Sequence, residues 1–271
     1  MKTKNSLFLF FIFSLIFSCN VNQEKINEFS HFSEQFSDLK VLRYQIPGFD
    51  NLSLDQKKLV YYLTEAGLSG RDIMYDQNYR HNLKIRRALE NIYLNYSGNK
   101  NDNQWKSFEI YLKRIWFSNG IHHHYSNDKF DPDFPEEYLK NLMDETNTKL
   151  NDEVFDLIFN DIDPKKVNKN KSKGIVLGSS VNFYGSDVTE EDVDNFYNNI
   201  KVPDPNKPIS LGLNSKLVKE DGVLKEKVWK KGGMYTGSIE KIINNLKLAK
   251  EYSENKKQAD ALDLLVKYYE T

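Results

Sequence analysis

Few side chains in this sequence could do chemistry, and the histidines come first. His122-His123-His124 is the only run of metal-capable imidazoles; His31 and His81 are the others. Zinc needs ligands that converge on one point, whereas adjacent side chains on a helix or strand diverge, and only His122 and His124 share a strand face. No His is followed by Glu, so the sequence holds no His-Glu-x-x-His zinc helix. His122 and His124 remain as metal candidates against a plainer expectation, a polar loop whose imidazoles stack on neighbouring aromatics. A Gly-x-Ser-x-Gly elbow is absent, so a serine nucleophile of the α/β-hydrolase type has no support. Glu65 and Asp72 could work as paired carboxylates, but Arg71, Lys84, Arg86 and Arg87 around them point to structural ion pairing. The stretch Gly232 to Ser238 before a helix hints at an anion-binding helix start; it lacks the Lys of a phosphate loop, and an ordinary turn serves as well.

These groups must be carried by elements that the apolar periodicity reveals. Ser53 followed by Gln56 is a capping-box signature, and Leu59, Val60, Tyr62, Leu63 and Ala66 then form a helical stripe that Gly67 and Gly70 weaken or bend. Ile85, Leu89, Ile92, Tyr93 and Tyr96 mark a second helix stopped by Gly98. Trp105, Phe108, Leu112, Ile115 and Trp116 mark a third, stopped by Gly120. A fourth starts at Pro135, with Glu136 and Glu137 placed to favour its dipole. The texture then changes: Gly174 to Gly185 is β-leaning, Thr189 opens a short helix, and three prolines from Pro203 to Pro208 make an extended connector. Asp221-Gly222 is a hairpin signal between Leu217-Val218 and Val223-Leu224. Two helices close the chain, and Leu262, Leu265, Val266 and Tyr269 of the last form a stripe with no Gly, Asn or Pro stop after it. The fold class expected is α+β, mainly α: a bundle-like helical lobe with a small β-containing segment.

Composition bounds the rest. In 271 residues, 38 Lys and Arg face 39 Asp and Glu, a net charge of −1 that argues against a general nucleic-acid binder. Sixteen Tyr and 17 Phe exclude global disorder, and a mean hydropathy of −0.66 excludes a multi-span membrane protein. Lys2 and Lys4 precede an apolar run from Leu7 to Phe17, whose 11 residues are too short for a hydrocarbon core of ~30 Å. The run ends Leu15-Ile16-Phe17-Ser18-Cys19, close to a bacterial lipobox apart from the bulk of Phe17. The reading is a signal peptide over 1–18, then lipidated Cys19 and a tether over 19–35 that runs into a first helix. An ordinary secretory leader with an incidental Cys is the alternative. Lipidation places the chain in the bacterial cell envelope, anchored to a membrane and facing the periplasm or exterior, and it consumes the only thiol. The remaining divisions are a helical subdomain over 36–160, a polar linker over 161–173, a β-containing segment over 174–234 and closing helices over 235–271.

One resemblance adds to this. Leu63-Thr-Glu-Ala-Gly-Leu-Ser-Gly-Arg-Asp72, Asp76-Gln77-Asn78, Asn82-Leu-Lys-Ile-Arg-Arg87 and above all Tyr111 through Tyr125, with Lys129-Phe130, resemble the N-terminal part of the bacterial dipeptidyl peptidase III family. Asn182-Phe-Tyr-Gly, Glu190-Glu-Asp-Val and the closing helices follow in the same order, so the resemblance spans about 36–271. It implies one portion of a two-lobed zinc exopeptidase that releases dipeptides from the amino end of short peptides. The family's His-Glu-x-x-Gly-His helix and downstream Glu-Glu helix do not occur here. The resemblance therefore implies a substrate-side part with no catalytic residue and no zinc of its own, completed by a separate catalytic lobe. Tyr125 corresponds to the aromatic that lines the pocket for the peptide's amino-terminal side chains, with Asn119 beside the site. A second reading is a non-catalytic lipoprotein that binds peptides or a protein partner. Under the first, the closing helix should present an apolar patch.

Overall fold

The computed structural model describes residues 29–160, 166–201, 204, 206, 207 and 209–271. The leader, Cys19, much of the tether, the linker residues 161–165 and Pro203, Pro205 and Pro208 lie outside the described residues. The chain divides into two compact units at Ile46. In the first, where a helix was expected to begin, strands β1 (Phe32–Phe36) and β2 (Leu39–Leu42) pair antiparallel with Phe36 opposite Leu39. Ser37 takes a φ of 50°, the left-handed conformation of a two-residue reversal, and this turn pairs its neighbours before a helix can propagate.

The second unit begins at Pro47 and is mainly helical. Helix α1 (Leu54–Ser69) starts at the expected capping box: Ser53 Oγ accepts from the Gln56 amide at 3.2 Å, and Gln56 Oε1 accepts from the Ser53 amide at 2.9 Å. Gly70 breaks the run, and α2 (Arg71–Asn78) follows as a separate helix. Helices α3 (Asn82–Asn95) and α4 (Asn103–Ser118) bury the predicted stripes. Ile85, Leu89 and Ile92 meet Trp105, Phe108, Leu112 and Ile115, with Tyr96 stacked on Trp105 at 4.5 Å. Helices α5 (Glu136–Glu145) and α6 (Asp152–Phe159) close this core with Leu139, Leu142 and Ile158. Each such side chain contributes about 1.5–3 kcal/mol on full burial.

A second core joins α1 to the closing helices α8 (Thr236–Glu251) and α9 (Lys256–Glu270) through Leu59, Ala66, Ile242, Leu246, Leu262 and Val266. The last turn of α9 is held despite the missing stop residue, because the Lys231 amide donates to Tyr269 O at 2.8 Å. Strands β3 (Ser215–Glu220) and β4 (Val223–Val228) form the expected hairpin, with Asp221 and Gly222 both at positive φ. The segment from Gly174 to Gly185 departs from its β-leaning composition and folds as turns. Asn168 Nδ2 donates to Gly174 O at 2.7 Å and to Asn170 O at 3.1 Å, which coils the segment back on itself; Tyr184 alone bridges to Leu217 of β3. Helix α7 (Glu190–Asn198) opens on a second capping box, between Thr189 and Asp192. Among the described residues no helix is long and apolar enough to cross a membrane.

Candidate functional site

The residues singled out by sequence sit on the loop that leaves α4. Asn119 ends that helix at φ 54°, a left-handed position that Asn tolerates better than most residues, and its amide donates to Ile115 O. Gly120 follows at φ 148°, where a Cβ would lie 2.0 Å from Asn82 Nδ2. Asn82 is only 1% exposed. Its Oδ1 accepts from the Ile121 amide at 3.0 Å, and its Nδ2 donates to Asn119 O at 3.2 Å. Asn78 Nδ2 reaches the same carbonyl at 3.4 Å. Two asparagines thus fix the start of the loop, and Asn119 works there as a helix stop.

The loop then doubles back on itself. The Phe130 amide donates to Ile121 O at 2.8 Å, the His123 amide to Asp128 O at 2.7 Å, and the Ser126 amide to His123 O at 3.2 Å. Ile121 and Phe130 are buried, and the Arg114 guanidinium lies 4.1 Å above the Phe130 ring. Asn127 exchanges a pair of hydrogen bonds with the backbone of Val167, at 2.9 and 3.0 Å. Lys129 Nζ is held near the carbonyls of Leu157 and Ile158. The loop is a rigid platform.

His122 has a different ring partner from the stacked pair His123 and His124. His122 is buried, with its ring edge-on to Tyr79 at 4.9 Å. His124 meets Phe117 at 5.3 Å in a T-shaped contact and stacks on His123 at 4.4 Å. His122 and His124 therefore turn to separate aromatic partners, as a loop of stacked imidazoles would. Among the described residues no three of His, Cys, Asp and Glu gather where they could hold a metal ion. Tyr125 packs against His124 at 4.2 Å and is 89% exposed, its amide donating to His123 Nδ1 at 3.2 Å. Phe117, which also contacts His124, is exposed, and His124 Nδ1 is shielded from solvent with no hydrogen-bond partner. Buried polar atoms in native proteins are nearly always satisfied. An exposed aromatic on a hydrogen-bonded backbone makes a surface on which an apolar side chain can be covered.

Elsewhere Asp72, one of the two carboxylates weighed in the sequence, is ion-paired. Asp72 accepts from Arg86 Nη2 at 2.6 Å and from Arg87 Nη2 at 2.7 Å. Burial opposes its ionisation, yet the hydrogen bonds from Arg87 and Arg86 hold its carboxyl below the usual range. Gly232 donates its amide to Thr236 Oγ1 at 2.8 Å, an ordinary turn ahead of α8. An apolar groove of about 500 Å³ runs along α1, α2, α8 and α9, lined by Leu63, Met74, Trp229, Leu265 and Tyr268 among others. Contrary to the open stripe expected on the closing helix, Leu262 and Val266 are buried in the second core and Tyr269 packs against it; Leu265 is exposed, as is Tyr268 outside that stripe. Sequence reading missed the asparagines that build the platform. Their signal was present: Asn82 falls on the face of Ile85, Leu89 and Ile92, a polar group placed where only core belongs.

No family model and no curated protein matches this sequence. A solved structure, that of DPP III from Caldithrix abyssi, shares the fold with a TM-score of 0.50 at 18% identity. The likeness covers 83% of this chain and 32% of that one, so the chain spans about a third of the length of its structural neighbour. The fold is that of a dipeptidyl peptidase III-like domain.

Proposed function

We propose that this chain is the substrate-side part of a secreted, lipid-anchored peptidase of the dipeptidyl peptidase III kind and binds short peptides. The observation that carries the reading is Tyr125, almost fully exposed on a loop whose backbone is fixed from both ends. A peptide's apolar side chain laid on the exposed Tyr125 ring gains burial. Hydrolysis is assigned to a separate catalytic lobe, because the zinc and general-base motif that the family would use is not among these 271 residues. The chain alone then captures peptides without cleaving them. Cys19 would carry the lipid that keeps the protein at the cell envelope. A second reading, a binding lipoprotein with no catalytic partner, is favoured by the same free platform and differs only in what completes it.

Isothermal titration of the full chain with an unblocked tetrapeptide bearing apolar side chains at its first two positions tests this. Saturable binding that Tyr125→Ala weakens about tenfold is expected. Binding indifferent to Tyr125 would remove the site from the reading.

A further inference from the structure

We propose that a cleft between α3 and the α5–α6 loop is a binding site for a phosphate-type oxyanion. The cleft has a volume of about 650 Å³ and lies away from the Tyr125 platform in sequence, lined from α3 by Lys84, Arg87 and Asn91. Spacings of three and four residues put those side chains on one helix face. Lys149, Asn147 and Asn151 line it from the loop, and no carboxylate does.

The three cations retain most of their capacity. Lys84 and Lys149 are exposed and form no ion pair among the described residues. Arg87 spends one guanidinium nitrogen on Asp72. The nearest acidic side chains on the loop and α6 turn elsewhere: Asp144, Asp152 and Asp156 line an adjoining cleft with Lys140. The loop is held in shape before any ligand arrives. Asn147 takes a φ of 49°, and the buried Thr148 accepts from Asn91 Nδ2 at 2.8 Å and lies 2.7 Å from Thr146 Oγ1. Asn91 thus positions the loop, while the amides of Asn147 and Asn151 make no side-chain hydrogen bond among the described residues and can donate to the cleft.

Two lysines without an ion pair among the described residues, an arginine with guanidinium nitrogens left over from Asp72, and neutral amide donors match a ligand with more than one negative charge and several acceptor oxygens. A phosphate group has both, and a single carboxylate has half the charge and fewer oxygens. Free phosphate compounds and the headgroup of an anionic phospholipid share that chemistry, so the test separates them.

The full chain is titrated with inorganic phosphate and with pyrophosphate at 0.15 M salt, and in a parallel arm is sedimented with phosphatidylglycerol or phosphatidylcholine vesicles. The proposal expects saturable one-site binding in the first arm, or preference for phosphatidylglycerol in the second, reduced at least tenfold by Lys84→Glu with Lys149→Glu. The milder pair Lys84→Gln with Lys149→Gln, which guards against misfolding, should give an intermediate loss. A control pair of exposed lysines elsewhere, Lys106→Glu with Lys257→Glu, should leave binding unchanged. Absence of binding in both arms, or an equal loss with the control pair, overturns the proposal.

Discussion

Replacing Gly120 by Ala should be among the most damaging small substitutions in this chain. The new methyl carbon would sit 2.0 Å from Asn82 Nδ2 and 2.4 Å from its Cγ, well inside contact distance. Asn82 cannot swing away cheaply, because it is buried and both ends of its amide are engaged, by the Ile121 amide and by Asn119 O. Moving it strands the buried Ile121 amide, at about 1–3 kcal/mol for a group left without a partner, while Asn119 O keeps the bond from Asn78 Nδ2. A φ of 148° adds strain for any residue with a Cβ, about 1–2 kcal/mol. The expected loss is about 2–5 kcal/mol, a large part of the roughly 5–15 kcal/mol that holds a domain together. Urea unfolding of the full chain measures it, and a double-mutant cycle identifies the cause. In an Asn82→Ala background the clash is gone, so Gly120→Ala should cost only the backbone strain, leaving a coupling of about 2 kcal/mol. A loss below about 1 kcal/mol, or strict additivity with Asn82→Ala, would refute the reasoning.

Asp192 should titrate far below an ordinary aspartate. Its carboxylate accepts from Lys219 Nζ at 2.6 Å, and from the Thr189 amide and hydroxyl, which hold its pKa at about 2. The stability contributed by this lowered pKa is present above the unfolded-state value near 3.8 and is lost as pH falls through about 2. A carboxyl-carbon NMR titration should place the midpoint at the low value and Lys219→Met should raise it; a wild-type midpoint near 4 would contradict this. Cys19→Ala should move the expressed protein from the detergent phase to the soluble phase or stall its processing, as read by phase partition and blotting. Unchanged partition would favour a simple cleaved leader. Tyr125→Ala should change stability by no more than about 0.5 kcal/mol, since the side chain is exposed, and urea unfolding reads this directly.

Regular apolar spacing was the legible part of this protein. The stripe through Trp105, Phe108, Leu112 and Ile115 is buried as spacing predicts, and Ser53 with Gln56 forms both bonds of its capping box. Asp221-Gly222 supplies two consecutive positive φ angles, so that hairpin could be read from two letters. Trp116, counted in the same stripe, is less completely buried and donates Nε1 to Glu90 at 2.9 Å; helical spacing alone cannot distinguish a core edge from its centre. The β1–β2 hairpin was hidden because it rests on Ser37 in a left-handed conformation, which no residue type there advertises. The Gly174–Gly185 segment misled for the opposite reason: its Val and Ile favour strands, but Asn168 offers the backbone closer partners. At the candidate site, Tyr125 and the histidines could be named from sequence. Asn82, 37 residues before the Asn119 carbonyl that it holds, could not be tied to them, because such a bond exists only after the helices pack.

The central claim is that the loop from Asn119 to Phe130 receives a peptide. Amide NMR spectra of the full chain, titrated with an unblocked tetrapeptide, test it most directly. The account predicts saturable shifts concentrated at His123, His124, Tyr125 and Ser126, with the midpoint moved about tenfold higher in peptide by Tyr125→Ala. Shifts confined to the apolar groove of α1 and α9, or no saturable shift at all, would contradict it.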